Sequence, residues 1–246
     1  MIYKINTLFE AFEPFVKDIQ TYFKQNHQTI HKARNELKVI DFNHTQVVVK
    51  SFKIPHFINR VVYTFFKDSK AKKSYEYALK IGDFTPNPIA YVEFFSLGLL
   101  AQSYFIAQKF DYDFTIREPL LNNEFKDKEA ILKAFARFTY ELHEANIFHH
   151  DYSPGNILIK KKGENYIFKI VDINRMQFIQ LNYLQRAKSF SKLWARDDEL
   201  EIIAKEYSFY SKDHIENFIK KVQYFSNKNK KFKNLKKRLK GQKIVD

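Results

Sequence analysis

The run His149-His150-Asp151-Tyr152-Ser153-Pro154-Gly155-Asn156-Ile157-Leu158, with Asp172 sixteen positions beyond Asn156, carries the chemistry of this chain. An aspartate, an asparagine five positions on and a second aspartate closing the next apolar strand are what phosphoryl transfer from a magnesium-bound nucleotide requires. Asp151 is expected to orient the attacking hydroxyl and accept its proton. Asn156 and Asp172 offer a neutral and a charged oxygen ligand, a sparse set that suits Mg²⁺ completed by phosphate and water. An Asp–Asn pair alone would say little, because Ser153-Pro154-Gly155 could simply be a turn capped by an aspartate. The apolar strand Ile157-Leu158-Ile159 and the second aspartate after Lys169-Ile170-Val171 make the combination specific. His149 is expected to be a structural hydrogen-bonder beneath the loop, and His150 has no assigned role.

Such chemistry also needs a cation for the nucleotide phosphates. Lys50 is the candidate, since it interrupts the apolar strand Gln46-Val47-Val48-Val49-Lys50-Ser51-Phe52. The competing reading is an edge-strand lysine with its head in water. Glu76, on the helix that follows, is the expected ion-pair partner, with Glu93 as its rival.

The elements that must position these residues fall in two groups. Phe15, Val16, Ile19 and Phe23 recur at helical spacing from Pro14 to Lys24, predicting a helix packed on the first lobe or, alternatively, a membrane-surface helix. Strands are expected over Thr29–Ala33, Leu37–Phe42 and Gln46–Phe52, with a turn at Asn43-His44. A helix is expected over Ser69–Ile81, stopped by Gly82. Strands Ile89–Phe95 and Ser103–Phe110 follow. The stretch Ile89–Ala107 is broken by Glu93, Ser96, Gln102 and Ser103, which argues for paired strands and against a membrane span. Beyond Asp111 the pattern turns helical, with Ile131, Phe135, Phe138 and Leu142 on one face. Strands first and helices afterwards describe an α+β protein. The expected division is an N-lobe over 1–108, a hinge at 109–113, a helical C-lobe over 114–225 and a basic tail over 226–246.

Bulk composition narrows the class. With 246 residues, 45% apolar and 17% aromatic, the chain can bury a real core and is not disordered. Without cysteine it forms no disulfide and no thiolate metal site, which fits a reducing compartment. The N-terminus lacks the apolar run of a signal peptide. The net charge of +14 is uneven, with nine Lys/Arg between Ser226 and Asp246 against one acidic residue. A solvated tail, an anionic membrane and nucleic acid are all compatible with that charge.

From Thr29 to Met176 the order of elements resembles the protein-kinase-like superfamily. It is most similar to the small lipopolysaccharide kinases, the Kdo kinase and heptose kinase family. The residues that carry the resemblance are His149, Asp151, Gly155, Asn156, Ile157 and Leu158, followed by Val171-Asp172-Ile173-Asn174-Arg175. It implies a two-lobed fold with a small β-rich N-lobe and a larger helical C-lobe. It implies Asp151 as catalytic base, Asn156 and Asp172 as metal ligands, and Lys50 with Glu76 on the phosphates. ATP and Mg²⁺ are the implied cofactors.

The chain has five glycines and no Gly-x-Gly-x-x-Gly loop. The turn is Ala33-Arg34-Asn35, so Arg34 and Asn35 are expected to meet the phosphates. Asp172-Ile173-Asn174 replaces Asp-Phe-Gly and no Ala-Pro-Glu follows, which argues against a regulated signalling kinase. Cations after it (Arg175, Arg186, Lys188, Lys192, Arg196) could hold an anionic acceptor or simply form a solvated face. The implied acceptor is a sugar hydroxyl of an anionic glycolipid, a lipopolysaccharide precursor. The expected location is the cytoplasm, with the basic tail touching the inner membrane and no specific nucleic acid as partner. The rivals are a RIO-like or aminoglycoside-type kinase and a membrane-binding pseudokinase.

Overall fold

The computed structural model describes residues 1–32 and 35–241. The chain divides into two compact units, one comprising 1–111 with 172–174, the other 112–171 with 175–246.

The first unit begins with β1 (Ile2–Ile5), α1 (Glu13–Lys17) and α2 (Ile19–Gln25). The single helix expected over Pro14–Lys24 is broken at Asp18, but its apolar stripe behaves as anticipated. Phe15, Val16, Ile19 and Phe23 are buried against the sheet, so this is a core element and not a membrane-surface helix. The antiparallel sheet is built from β2 (Thr29–Lys32), β3 (Glu36–Phe42) and β4 (Thr45–Phe52). Asn43 and His44, both at positive φ, make the β3–β4 turn, a backbone that a two-residue hairpin requires. A helix that the sequence reading did not anticipate, α3 (Phe57–Phe65), follows, then α4 (Lys70–Ile81). Ser69 caps α4 through its hydroxyl, and Gly82 at φ 53° ends it. The hairpin β5 (Pro88–Ser96) and β6 (Leu99–Gln108) completes the sheet, in the order β1-β5-β6-β4-β3-β2. Buried Lys38 ties α2 to β3, its Nζ donating to the carbonyls of Phe23 (2.7 Å) and Asn26 (2.8 Å).

The second unit runs through β7 (Phe114–Thr115), α5 (Arg117–Leu121), α6 (Lys128–Glu144), β8 (Ile147–His149), β9 (Ile157–Lys162) and β10 (Asn165–Ile170). Then come β11 (Met176–Phe178), α7 (Tyr183–Ser189), α8 (Asp197–Ser211) and α9 (Ile215–Leu239). Strands β10-β9-β7 form one small sheet and β11-β8 another. Its core is aromatic: Phe135, Phe190, Tyr207 and Phe218 are buried, with Tyr207 stacked on Phe218 at 5.0 Å. His143 is buried among them, bonded to the Tyr207 hydroxyl through Nδ1 and to Ser189 Oγ through Nε2, both at 2.9 Å. Burial holds its imidazole down at about 3, so it is neutral. The basic segment from Ser226 onward continues as helix α9 up to Leu239, where the sequence reading set a separate tail.

Candidate active site

Within the first unit, Lys50 lies on β4, which is flanked by β3 and β6 and is therefore no edge strand. Its side chain is only 13% exposed, and Nζ donates to Asp172 Oδ1 at 2.7 Å. Asn174 Nδ2 donates to the same oxygen at 2.8 Å. Asp172 sits at φ 58°, a left-handed backbone that few residues other than glycine tolerate and that aspartate bears better than most. The anticipated Lys50–Glu76 ion pair is not formed. Glu76 instead faces Lys72 one turn earlier on α4, at 3.9 Å, because its i,i−4 neighbour lies within reach on the helix surface. Glu93 is buried on β5, where desolvation raises its carboxyl above the ordinary range. Asn35 Oδ1 accepts from the Lys53 N–H at 3.4 Å, which sets its side chain beside the end of β4. Arg34 lies outside the described residues.

Within the second unit, the loop from His149 to Asn156 is held by a closed set of hydrogen bonds. His149 is buried at the end of β8. Its Nδ1 accepts from the Asp151 N–H at 3.0 Å, which leaves Nε2 as the protonated nitrogen, donating to the Val171 carbonyl at 3.0 Å. Val171 in turn donates its N–H to the Asn156 carbonyl at 2.9 Å. Asn156 Nδ2 donates to the Asp151 carbonyl at 2.9 Å. One imidazole thus fixes the backbone of Asp151 and of the residue before Asp172. Tyr152 anchors the loop from below: its buried ring stacks on Phe135 at 5.7 Å and its hydroxyl bonds Thr139 on α6 at 2.9 Å. Burial pushes that phenol well above its usual value, so it stays protonated.

The Asp151 carboxylate faces two cations, Arg175 through Oδ2 and Lys192 through Oδ1, the latter at 3.5 Å. Lys192 also donates to the His150 carbonyl. The sequence left both cations open between an anionic acceptor and a solvated face; in the structure they engage the Asp151 carboxylate. Arg117 was missed: its guanidinium lies over Gly155, 2.7 Å from where a Cβ would stand. Asn174 was also missed, although its place two positions after Asp172 was a signal. A hydrogen-bonding side chain there can steady a metal-binding carboxylate.

Within the second unit, Asn156 spends its amide nitrogen on the Asp151 carbonyl, which leaves its side-chain oxygen as an acceptor of the kind a hard cation prefers. No cluster of three or more His, Cys, Asp or Glu able to hold a metal exists among the described residues.

Comparison with known proteins agrees with the resemblance read from the sequence. Residues 106–218 match the family model described as "Lipopolysaccharide kinase (Kdo/WaaP) family". That span contains Asp151, Asn156, Asp172, Arg175 and Lys192, whereas Asn35, Lys50 and Glu76 lie before it. No curated protein matches the chain. Among solved structures, "WaaP in complex with acyl carrier protein" is similar with a TM-score of 0.57 and 13% identity, covering 94% of this chain and 99% of that one. The fold is accordingly α+β and protein-kinase-like, and the family matched is one of kinases.

Proposed function

We propose that this chain, whose residues 106–218 match the lipopolysaccharide kinase family model, transfers the γ-phosphoryl group of ATP to a sugar hydroxyl of a lipopolysaccharide core or Kdo–lipid A precursor. The observation that carries the reading is the His149 bridge, which presents Asp151 with a fixed backbone and carries Asn156 in the same hydrogen-bonded ring.

In this mechanism Asp151 accepts the proton of the acceptor hydroxyl at its carboxylate as the phosphoryl group leaves. Arg175 and Lys192 hold that carboxylate in place. Lys50 supplies the fixed cation for the nucleotide phosphates, and Asn35 and Arg34 are assigned to contact them. Asn156 and Asp172 would hold Mg²⁺, which when bound neutralises charge developing on the phosphates. Little covalent chemistry is left to the protein, so rate comes from orientation and preorganised charge.

A glycolipid acceptor places the enzyme at a membrane surface. Among the described residues no helix is long and apolar enough to cross a membrane. Contact with the cytoplasmic face of the inner membrane is instead assigned to the basic helix α9, where Lys228, Lys231 and Arg238 are exposed. The direct test incubates the protein with ATP, Mg²⁺ and a Kdo–lipid A acceptor and reads phosphate gain by mass spectrometry. Transfer to the sugar supports the proposal. Transfer only to protein serine or tyrosine, or to an aminoglycoside, overturns the acceptor assignment.

A further inference from the structure

Helix α3 is amphipathic in the wrong sense for a core element. Phe57, Ile58, Val61 and Phe65 fall on an arc of about 100°, yet none of the helix's residues is buried. Phe57 is 69% exposed, Ile58 76%, Phe65 67% and the following Phe66 77%. The polar side faces the protein instead. Arg60 Nε donates to the Leu100 carbonyl at 2.8 Å, and its Nη2 donates to the carbonyls of Ser96 (3.0 Å) and Leu99 (3.3 Å). Thr64 Oγ1 donates to Arg60's own carbonyl at 2.7 Å and accepts from the Leu100 N–H at 2.8 Å. These bonds clamp α3 to the β5–β6 turn in the one rotation that keeps its aromatic face in solvent. Rolling the helix inward would break the bonds to Ser96, Leu99 and Leu100 and strand a buried guanidinium.

The surroundings are cationic. From Lys53 to Lys73 the chain has six basic residues and one acidic residue, with Lys53 before the helix and Lys67 after it, both exposed. Protein–protein interfaces are depleted in lysine. A short helix with Phe and Ile on one face and lysines around it is the composition that settles into the headgroup–acyl boundary of an anionic bilayer. We infer that α3 is a membrane-insertion element of the first unit, its partner an anionic lipid surface, and that the Arg60–Thr64 clamp exists to hold the apolar face outward.

This inference deepens the proposed function by naming a second membrane contact, but it does not depend on turnover. Trp194 is the only tryptophan, so Ile58→Trp in a Trp194→Phe background reports on α3 alone. The assay is run in the Asp151→Ala variant, so binding is read without catalysis. Emission should shift to the blue with vesicles of phosphatidylcholine and phosphatidylglycerol, and much less with phosphatidylcholine alone. Phe57→Ser combined with Phe65→Ser should weaken vesicle co-sedimentation by about tenfold or more, with unchanged far-UV circular dichroism. An unshifted emission with anionic vesicles overturns the inference. So does a blue shift that tracks protein concentration without lipid, which would make the occupant a second copy of the chain. A shift produced only by acyl carrier protein would equally overturn it.

Discussion

Lys50 and Asp172, 122 positions apart in sequence, meet at 2.7 Å within the first unit. The partner of Lys50 is therefore Asp172, the aspartate proposed to bind metal, and not Glu76 of the following helix. Asp172 Oδ1 receives both Lys50 and Asn174, so its carboxylate is oriented by two donors despite its left-handed backbone. Charge-assisted bonds of this kind are among the stronger orienting contacts.

Lys50→Met should lower kcat with ATP by about 10²–10³-fold, the loss typical of removing one preorganised charge from a reacting centre. Glu76→Gln should leave kcat near wild type, because Glu76 engages Lys72 on the surface of α4. Steady-state kinetics of the two variants side by side checks this. Equal losses would restore Glu76 as the lysine's partner.

Lys192→Met should reduce kcat while leaving the KM for ATP nearly unchanged, since Lys192 donates to the Asp151 carboxylate and the His150 carbonyl. A large rise in KM for ATP with kcat preserved would instead make it a nucleotide contact.

His149→Ala removes two hydrogen bonds that pin the backbone around Asp151 and Val171. Its cost should be about 2–3 kcal/mol in urea unfolding, from lost bonds and an unsatisfied carbonyl. Turnover should fall further than that destabilisation explains at temperatures where the variant is fully folded.

His143 makes stability depend on pH. Its imidazole titrates at about 3 in the folded protein, against an ordinary value near 6.5. Between those values the unfolded chain binds the proton and the native state does not, so stability falls as pH falls. The contribution is complete above about pH 6.5 and declines by up to about 1.4 kcal/mol per pH unit below it. Thermal melts from pH 7 to pH 5 should show this slope, and His143→Gln should flatten it.

Much of this was legible in the sequence where period and punctuation agree. Helix α4 was bounded by Ser69 and Gly82, and the β3–β4 hairpin by Asn43-His44, because caps and turns are local. Asp151, Asn156 and His149 were readable because the loop that fixes them is short and nearly contiguous. Pairings across long separations were not: Lys50 could have met Glu76, Glu93 or Asp172, and spacing alone does not choose. Helix α3 escaped notice although Phe57, Ile58, Val61 and Phe65 keep helical spacing, because it is short and its start carries no side-chain cap. Its apolar face proved to be the exposed one.

The most direct measurement is phosphate transfer from γ-labelled ATP to a Kdo–lipid A acceptor by wild-type protein and Asp151→Ala, paired with thermal-shift titration of ATP and Mg²⁺. Wild type should transfer label only with Mg²⁺. Asp151→Ala should lose about 10³-fold or more in kcat while keeping its ATP–Mg²⁺ stabilisation. Near-wild-type transfer by Asp151→Ala would contradict its role as the base. A wild-type protein neither stabilised by ATP with Mg²⁺ nor able to transfer label would contradict the kinase assignment itself.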